Sequence, residues 1–223
     1  GESKGVGAGM YFTFAMDKTE PVTVKIGLSY TSVENARANL TAEAEKMTFD
    51  KVREQSHKTW NDYLGRIEVE TSKNDDKVNF PLYWQARCTQ WPRSTFGRGL
   101  ASDVNGAYPR NDGTVGQLPM KDGKPLYNVY NTDAAWGAQW NLSQLWILAY
   151  PEYMSQYVST HLQEYKDTGW LADGLANNRY VSGVGTNLLS TIIAAAYECG
   201  IRDFDTKLAY EACLKNELDG ENR

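Results

Sequence analysis

Four aspartates stand in loops or at predicted helix starts: Asp103, Asp112, Asp133 and Asp173. A carboxylate in such a place can accept hydrogen bonds from hydroxyl groups, ligate a cation or exchange a proton. Trp136 follows Asp133 by three positions. An indole offers an apolar face and one polar handle, which suits a ligand with flat C–H faces and a rim of hydroxyls. The chain is rich in such rings, with seven Trp and fourteen Tyr. Sugars are the ligand class these side chains fit. Each candidate also has a plainer reading. Asp133 suits the N-cap of the helix carrying Trp136, because Asp is a preferred cap. Asp112 and Asp173 stand beside glycines and read as turn formers. Asp103 either orders its own loop through an Asx-type bond or touches a ligand. Trp136 either binds or packs.

Composition excludes several classes. The chain has 223 residues, 41% of them hydrophobic and 23% charged, with a net charge of −5. That is globular and unlike a disordered tail. The acidity argues against nucleic acid, whose binders carry a basic face. Cys88, Cys199 and Cys213 match no zinc spacing and are too few for a disulfide framework. Cys199 and Cys213 fall in helical patterns and read as buried thiols. The two histidines, His57 and His161, are far apart, which argues against a His-based metal site. No apolar run is long enough to span a membrane, and no signal-peptide pattern opens the sequence. The Gly-rich run at 5–9 precedes a predicted strand, whereas a dinucleotide loop follows one. Asn39-Leu-Thr41 and Asn141-Leu-Ser143 match glycosylation sequons but fall in predicted helices.

The elements that must position the candidates change character along the chain. Residues 10–16 and 22–26, separated by turn residues, read as a hairpin with one face on a core. A lone hairpin is marginal and needs partner strands. Thr31-Ser-Val-Glu34 fits a capping box, with Thr31 as the cap. A second helix is predicted over 49–64, with Phe49, Val52, Trp60 and Leu64 near one stripe and Gly65 as terminator. A short strand at 67–70 and a polar connector to 77 mark a domain boundary at about 65–78. Turn signals at 105–106, 111–113 and 121–125 mark a long loop region. Helices are then predicted over 133–150, 152–165, 186–197 and 206–218, with a turn at 169–174. Such pairs joined by Gly- and Asn-rich loops suggest an α/α array. Its apolar faces and the partnerless hairpin both ask for more structure than 223 residues contain.

Six stretches, taken in order, resemble glycoside hydrolase family 92, the calcium-dependent exo-α-mannosidases common in gut Bacteroidetes. They are Val24-Lys-Ile-Gly-Leu-Ser-Tyr30 with Ser32-Val-Glu-Asn-Ala-Arg-Ala-Asn-Leu40; residues 49–67; Ser102-Asp-Val-Asn-Gly-Ala-Tyr108; Tyr130-Asn-Thr-Asp-Ala-Ala-Trp136 with Leu145-Trp-Ile-Leu-Ala-Tyr-Pro-Glu152; Tyr165-Lys-Asp-Thr-Gly-Trp-Leu171; and residues 183–197 with Gly200-Ile-Arg-Asp-Phe-Asp205. The resemblance implies an α+β, mainly helical fold. Residues 1–30 would be the last strands of a β-sandwich domain, 31–77 a helical linker and short strand, and 78–223 the first helices of an incomplete (α/α)6 barrel. It also implies a periplasmic, cell-surface or secreted location.

By the same resemblance the activity is inverting hydrolysis of terminal α-mannosyl or related residues of glycans, with calcium as cofactor. Inverting glycosidases use two carboxyl groups, one protonating the leaving oxygen and one activating water. The family's acid, base and main calcium ligands lie in later motifs that are not found here. No catalytic residue and no metal ligand is therefore nominated in this chain. Trp136, Asp133, Gln139 and Asp103 are the substrate-binding candidates. Two departures bear on them. Where the family has Trp-Asp, holding the terminal mannose, Gly137 follows Trp136, so Asp133 or Gln139 would have to compensate. The family's helix at 80–96 is interrupted by Pro81 and Pro92, each of which removes an N–H and obstructs the preceding turn. Strong divergence or a reading-frame disturbance would each produce that pattern. The alternative functional reading is a non-catalytic carbohydrate-binding or inactive fragment.

Overall fold

The computed structural model describes residues 4–14, 21–67, 100–176, 179–181 and 187–219. Helices α1 (Val33–Glu43) and α2 (Phe49–Leu64) come first. Two hairpins follow, β1 (Ala107–Pro109) with β2 (Val115–Gln117), and β3 (Met120–Lys121) with β4 (Lys124–Pro125). Then come β5 (Asp133–Ala134), α3 (Ala135–Gln139), α4 (Leu142–Ala149), α5 (Pro151–Thr168), β6 (Gly174–Ala176), β7 (Arg179–Val181), α6 (Leu188–Glu198) and α7 (Thr206–Leu218). This is the mainly helical α+β class predicted.

The amino-terminal hairpin does not form among the described residues. Residues 10–14 and 21–26 make no ladder, and Tyr11, Phe12, Val24 and Ile26 stand exposed. Alternation becomes a strand only where a partner completes the ladder and a layer covers one face. Nothing among the described residues does either. Most of the turn at 17–21, the strand after Ile67, the connector to 77 and the proline-interrupted stretch at 80–96 lie outside the described residues.

Helix α1 is capped one residue later than predicted. Ser32 Oγ accepts the Asn35 N–H at 3.0 Å, so Glu34 is not at the position a capping box requires. Helix α2 has the predicted bounds, with Thr48 as its N-cap and Gly65 closing it. Its carboxyl end is fastened to the later helices. Tyr150 OH donates to Tyr63 O at 2.9 Å. Arg66 donates to Ala149 O at 3.0 Å and meets Glu152 at 2.5 Å. Its guanidinium also lies 5.0 Å from the ring centres of both Tyr63 and Tyr150.

The long loop region is more ordered than its turn signals announced. Asp122 and Gly123 have φ of 51° and 75°, the positive pair that a two-residue hairpin turn demands. Tyr108 lies opposite Gly116 across β1–β2, and a Cβ on Gly116 would stand 2.3 Å from the Tyr108 ring. Only glycine lets that buried ring lie across the strand.

The helix predicted at 133–150 is three elements: β5, α3 and α4, with a break at 140–141. Pro151 then opens α5 at its first turn, where a missing N–H costs nothing. Helix α5 is the spine of the fold and is buried from Tyr153 to Tyr165 except at half-buried Gln156. Tyr153 and Tyr157 pack on Trp146 of α4 at 4.9 and 5.1 Å between ring centres. Leu189, Ile192, Ile193 and Ala196 of α6 and Ala209 and Ala212 of α7 extend the same core. Truncating a fully buried ring such as Trp146 to Ala costs about 3–5 kcal/mol. Gly169, with φ 86°, ends α5 in the left-handed cap conformation. Asn216 of α7 then holds the turn that follows, accepting from Leu171 N–H and donating to Leu171 O, each at 3.1 Å. Cys199, predicted buried, is exposed at the end of α6, and Cys213 is half-buried.

Candidate functional site

Three of the four binding candidates share one strand-to-helix unit. Asn131 and Thr132 are buried and lead into β5. Asp133 pairs with Leu175 and Ala134 with Gly174 of β6. The Ala135 N–H, the first of α3, donates to Asp173 O. Asp133 is thus a strand residue and not the N-cap of a long helix, because the ladder to β6 holds it before the helix begins. Asp173, read as a turn former, is buried and uses its carbonyl to fasten that start. Trp136 falls in the first turn of α3. Gln139 ends α3 half-buried, with its Oε1 enclosed and without a hydrogen-bond partner among the described residues. Gly137 is exposed, and a Cβ built there meets nothing within 4 Å.

Several buried polar atoms have no hydrogen-bond partner among the described residues. They include Thr132 Oγ1, Gln139 Oε1, Trp146 Nε1, both ring nitrogens of His161 and Glu164 Oε1. Such atoms are rare in folded proteins because each forfeits its hydration. Residues 153, 157, 161 and 164 recur at helical spacing and share one face of α5. His161 packs on Tyr157 at 4.8 Å between ring centres. Burial pushes its pKa down to about 3, so the ring is neutral. Burial, helped by the nearby Asp167 charge, pushes Glu164 up to about 7. Sequence reasoning passed over Glu164 and weighed His161 only as a metal ligand. The available signal was their three-residue spacing on the face that carries Tyr153 and Tyr157.

Asp103 belongs to a different assembly. Its buried carboxylate accepts from Ser29 Oγ at 2.9 Å, Thr31 Oγ1 at 2.5 Å and Asn39 Nδ2 at 2.7 Å. Asn39 Oδ1 accepts the Val104 N–H at 3.0 Å, and Asn105 Nδ2 donates to Asn35 Oδ1 at 2.9 Å. The Asp103 carbonyl closes the turn by accepting the Gly106 N–H at 2.8 Å. The loop at 103–106 is therefore clasped to α1 and the residues before it. Thr31 is drawn into this clasp, which is why Ser32 does the capping. Asn39 is committed to it as well, so the sequon at 39–41 serves structure. Asp112, in contrast, is the turn former predicted: its Oδ1 accepts from Thr114 N–H at 2.9 Å and Thr114 Oγ1 at 2.7 Å.

A second buried network ties the hairpins to α5. Tyr108 OH donates to Asp167 at 2.9 Å, Gln163 Nε2 donates to Tyr108 OH at 2.7 Å, and Tyr127 OH donates to Gln163 Oε1 at 2.7 Å. Burial raises the Tyr108 phenol to about 12, so it stays a donor.

Calcium takes six to eight oxygen ligands, several of them carboxylate. Among the described residues no group of three or more His, Cys, Asp or Glu side chains gathers to hold a metal ion. The oxygen-rich clasp offers a single carboxylate, and three side-chain donors already occupy it. The described residues do not fit a calcium site, and no step is derived through one.

The mainly helical α+β fold is similar to part of several solved structures. The chain is similar to the family GH92 alpha-mannosidase BT3965 from Bacteroides thetaiotaomicron, with TM-score 0.71 and 18% identity over 82% of this chain and 23% of that one. It is similar also to the family GH92 inverting mannosidase BT2199 from Bacteroides thetaiotaomicron VPI-5482, with TM-score 0.66 and 22% identity over 82% of this chain and 23% of that one. A third is the GH92 family glycosyl hydrolase ccman5, with TM-score 0.62 and 22% identity over the same shares. The chain thus spans about a quarter of the length of these structures. A comparison with curated proteins gives no match. The family model for the glycosyl hydrolase family 92 catalytic domain matches residues 35–223. The chain belongs to glycosyl hydrolase family 92.

Proposed function

We propose that this chain is part of a glycosidase that removes terminal α-mannosyl residues from glycans with inversion, and that it supplies sugar-holding wall without the acid or the base. The observation that carries the reading is the family match across residues 35–223. The similarity to a solved inverting mannosidase agrees with it. Inversion needs two carboxyl groups on opposite faces of the sugar, roughly 6.5–9.5 Å apart. No carboxylate of this chain is assigned to either task. Asp133, Trp136 and Gln139 are proposed to contact the sugar, Trp136 by stacking and Gln139 through its side-chain amide. Asp103 is proposed to support them by ordering its loop. Calcium, if used, would be held by residues beyond those described. No described helix is long and apolar enough to cross a membrane, and a periplasmic, cell-surface or secreted place is part of the same proposal.

The test mixes the chain with an aryl α-mannoside and calcium. No turnover is expected. A longer protein containing this chain should release mannose with inverted anomeric configuration, followed by proton NMR, and Trp136→Ala should raise its KM. Calcium-dependent turnover by the chain alone would overturn the division of labour.

A further inference from the structure

Away from the strand-to-helix unit, α2 and the start of α5 enclose an open groove of about 560 Å³. Its apolar lining combines the rings of Trp60 and Tyr63 on α2, Tyr130, and Tyr153 on α5 with the aliphatic Val52 and Leu100. Tyr130 and Tyr153 meet edge to face, 5.5 Å between ring centres. Its polar lining is largely uncharged and includes Gln55 and Ser56, both exposed on α2, and Gln156 on α5. Gln156 is held in place. Its Oε1 accepts from Asn128 Nδ2 and Tyr130 OH, each at 3.0 Å. The Nε2 is the part of that amide left to donate to a ligand. Rings set beside amide and hydroxyl groups are the chemistry of a surface that stacks a pyranose and hydrogen-bonds its rim. The polar groups make a poor lipid site. Carboxylates at Glu43 and Glu152, one of them paired with Arg66, disfavour an anion.

We propose that this groove is a second carbohydrate-binding site, taking a neutral hexopyranose unit of a glycan chain on Trp60, with Gln55 and Gln156 on its hydroxyls. The ligand class rests on the glycosidase reading. The site is separate in residues and elements from Asp133, Trp136 and Gln139. It would hold a distal part of a glycan while another part is processed.

The test is calorimetric titration of the full 223-residue chain with mannobiose and, separately, maltose. Saturable binding of either is expected. Trp60→Ala should weaken it at least about tenfold, the loss of one stacking partner with its buried area. Gln55→Ala should weaken it severalfold, and Trp60→Phe should retain most of it. Tyr210→Ala, which truncates an exposed ring on α7 outside both sites, should leave it unchanged. Circular dichroism checks that each variant folds. If Trp60→Ala does not fold, Gln55→Ala decides the matter, because it truncates an exposed polar side chain on α2. Absence of saturable binding, or binding indifferent to Gln55 and Trp60, overturns the proposal. Binding of maltose but not mannobiose leaves the groove standing while the mannoside reading fails.

Discussion

Replacing Asp103 with Ala should destabilise the chain far more than a loop substitution ordinarily does. Asp103 is 3% exposed, and its carboxylate accepts three side-chain hydrogen bonds, from Ser29, Thr31 and Asn39. A hydrogen bond to a charged group contributes about 1.5–3 kcal/mol. Three such bonds would set an upper bound near 9 kcal/mol if every donor were left dry. The donors are half-buried, and Ser29 and Thr31 already lie 3.0 Å from each other. Each can turn to water or to its neighbour, which brings the expected cost to about 3 kcal/mol. For a chain of this size that is a fall in Tm of about 6–12 °C. Asp103→Asn keeps the shape and one acceptor oxygen and should cost about half as much. The assay is urea unfolding followed by circular dichroism. Hydrogen exchange at the Val104 amide, which Asn39 Oδ1 holds, reports the clasp locally. A change under about 0.5 kcal/mol in Asp103→Ala, with Val104 still protected, would refute the reasoning.

Further outcomes follow from the buried groups. His161 has its folded pKa pushed down to about 3, well below its unfolded value of 6.5. The unfolded chain therefore binds the extra proton first, and stability falls by about 1.4 kcal/mol per pH unit as pH drops from 6.5 toward 3. His161→Leu should flatten that limb in denaturation curves taken across the range. Glu164 is the opposite case: its folded pKa of about 7 lies above the unfolded 4.5. Its contribution is full below pH 4.5 and is lost as pH rises through 7, so Glu164→Gln should gain about 2–3 kcal/mol at pH 7.5 over wild type, and little at pH 4. Gly116→Ala should cost about 1–3 kcal/mol, because its methyl meets the Tyr108 ring. Thermal melts of Gly116→Ala, alone and with Tyr108→Ala, check that the two positions are coupled.

Where the sequence was legible, the signal was local. Thr48 and Gly65 bracket α2, and Asp205, whose carboxylate accepts the Leu208 N–H at 3.0 Å, starts α7. Each is a short-range bond with a residue-type preference behind it. The errors sit where a distant partner decides. Ser32 and Thr31 are both preferred cap types, and Asp103, far along the chain, takes Thr31 away. Strand β5 is two residues long and has no period to read. Its identity comes from β6, which pairs with it across all of α3, α4 and α5. An Asp before a helical pattern therefore looked like a cap. The same distance separated the two readings of Asp103, since its loop gives no hint that Ser29, Thr31 and Asn39 will surround it. Glu164 was invisible for another reason: a Glu on a helix is ordinarily solvated, and only packing on all sides of α5 makes it otherwise.

The glycine after Trp136 is the residue where fold and function separate most cleanly. Gly116 is required by its surroundings, because a Cβ there would enter a ring. Gly137 is not required: it lies in a helix, is exposed, and has open space where a side chain would begin. A helical glycine in open space lowers stability by roughly 0.5–1 kcal/mol relative to Ala. Packing thus gives no reason for glycine at 137, and helix propensity disfavours it. By the resemblance to the family's Trp-Asp pattern an acid would stand at that point, and without it the proposed sugar contact would need another acceptor. Gln139, two residues on, carries a buried oxygen without a partner among the described residues. Under the proposed function the Gln139 amide would take over that contact, a neutral group in place of a carboxylate. Hydrogen bonds to a neutral acceptor are roughly half as strong as those to a charged one. The proposed enzyme should therefore hold its terminal sugar less tightly than relatives with Trp-Asp, and depend more on the ring of Trp136.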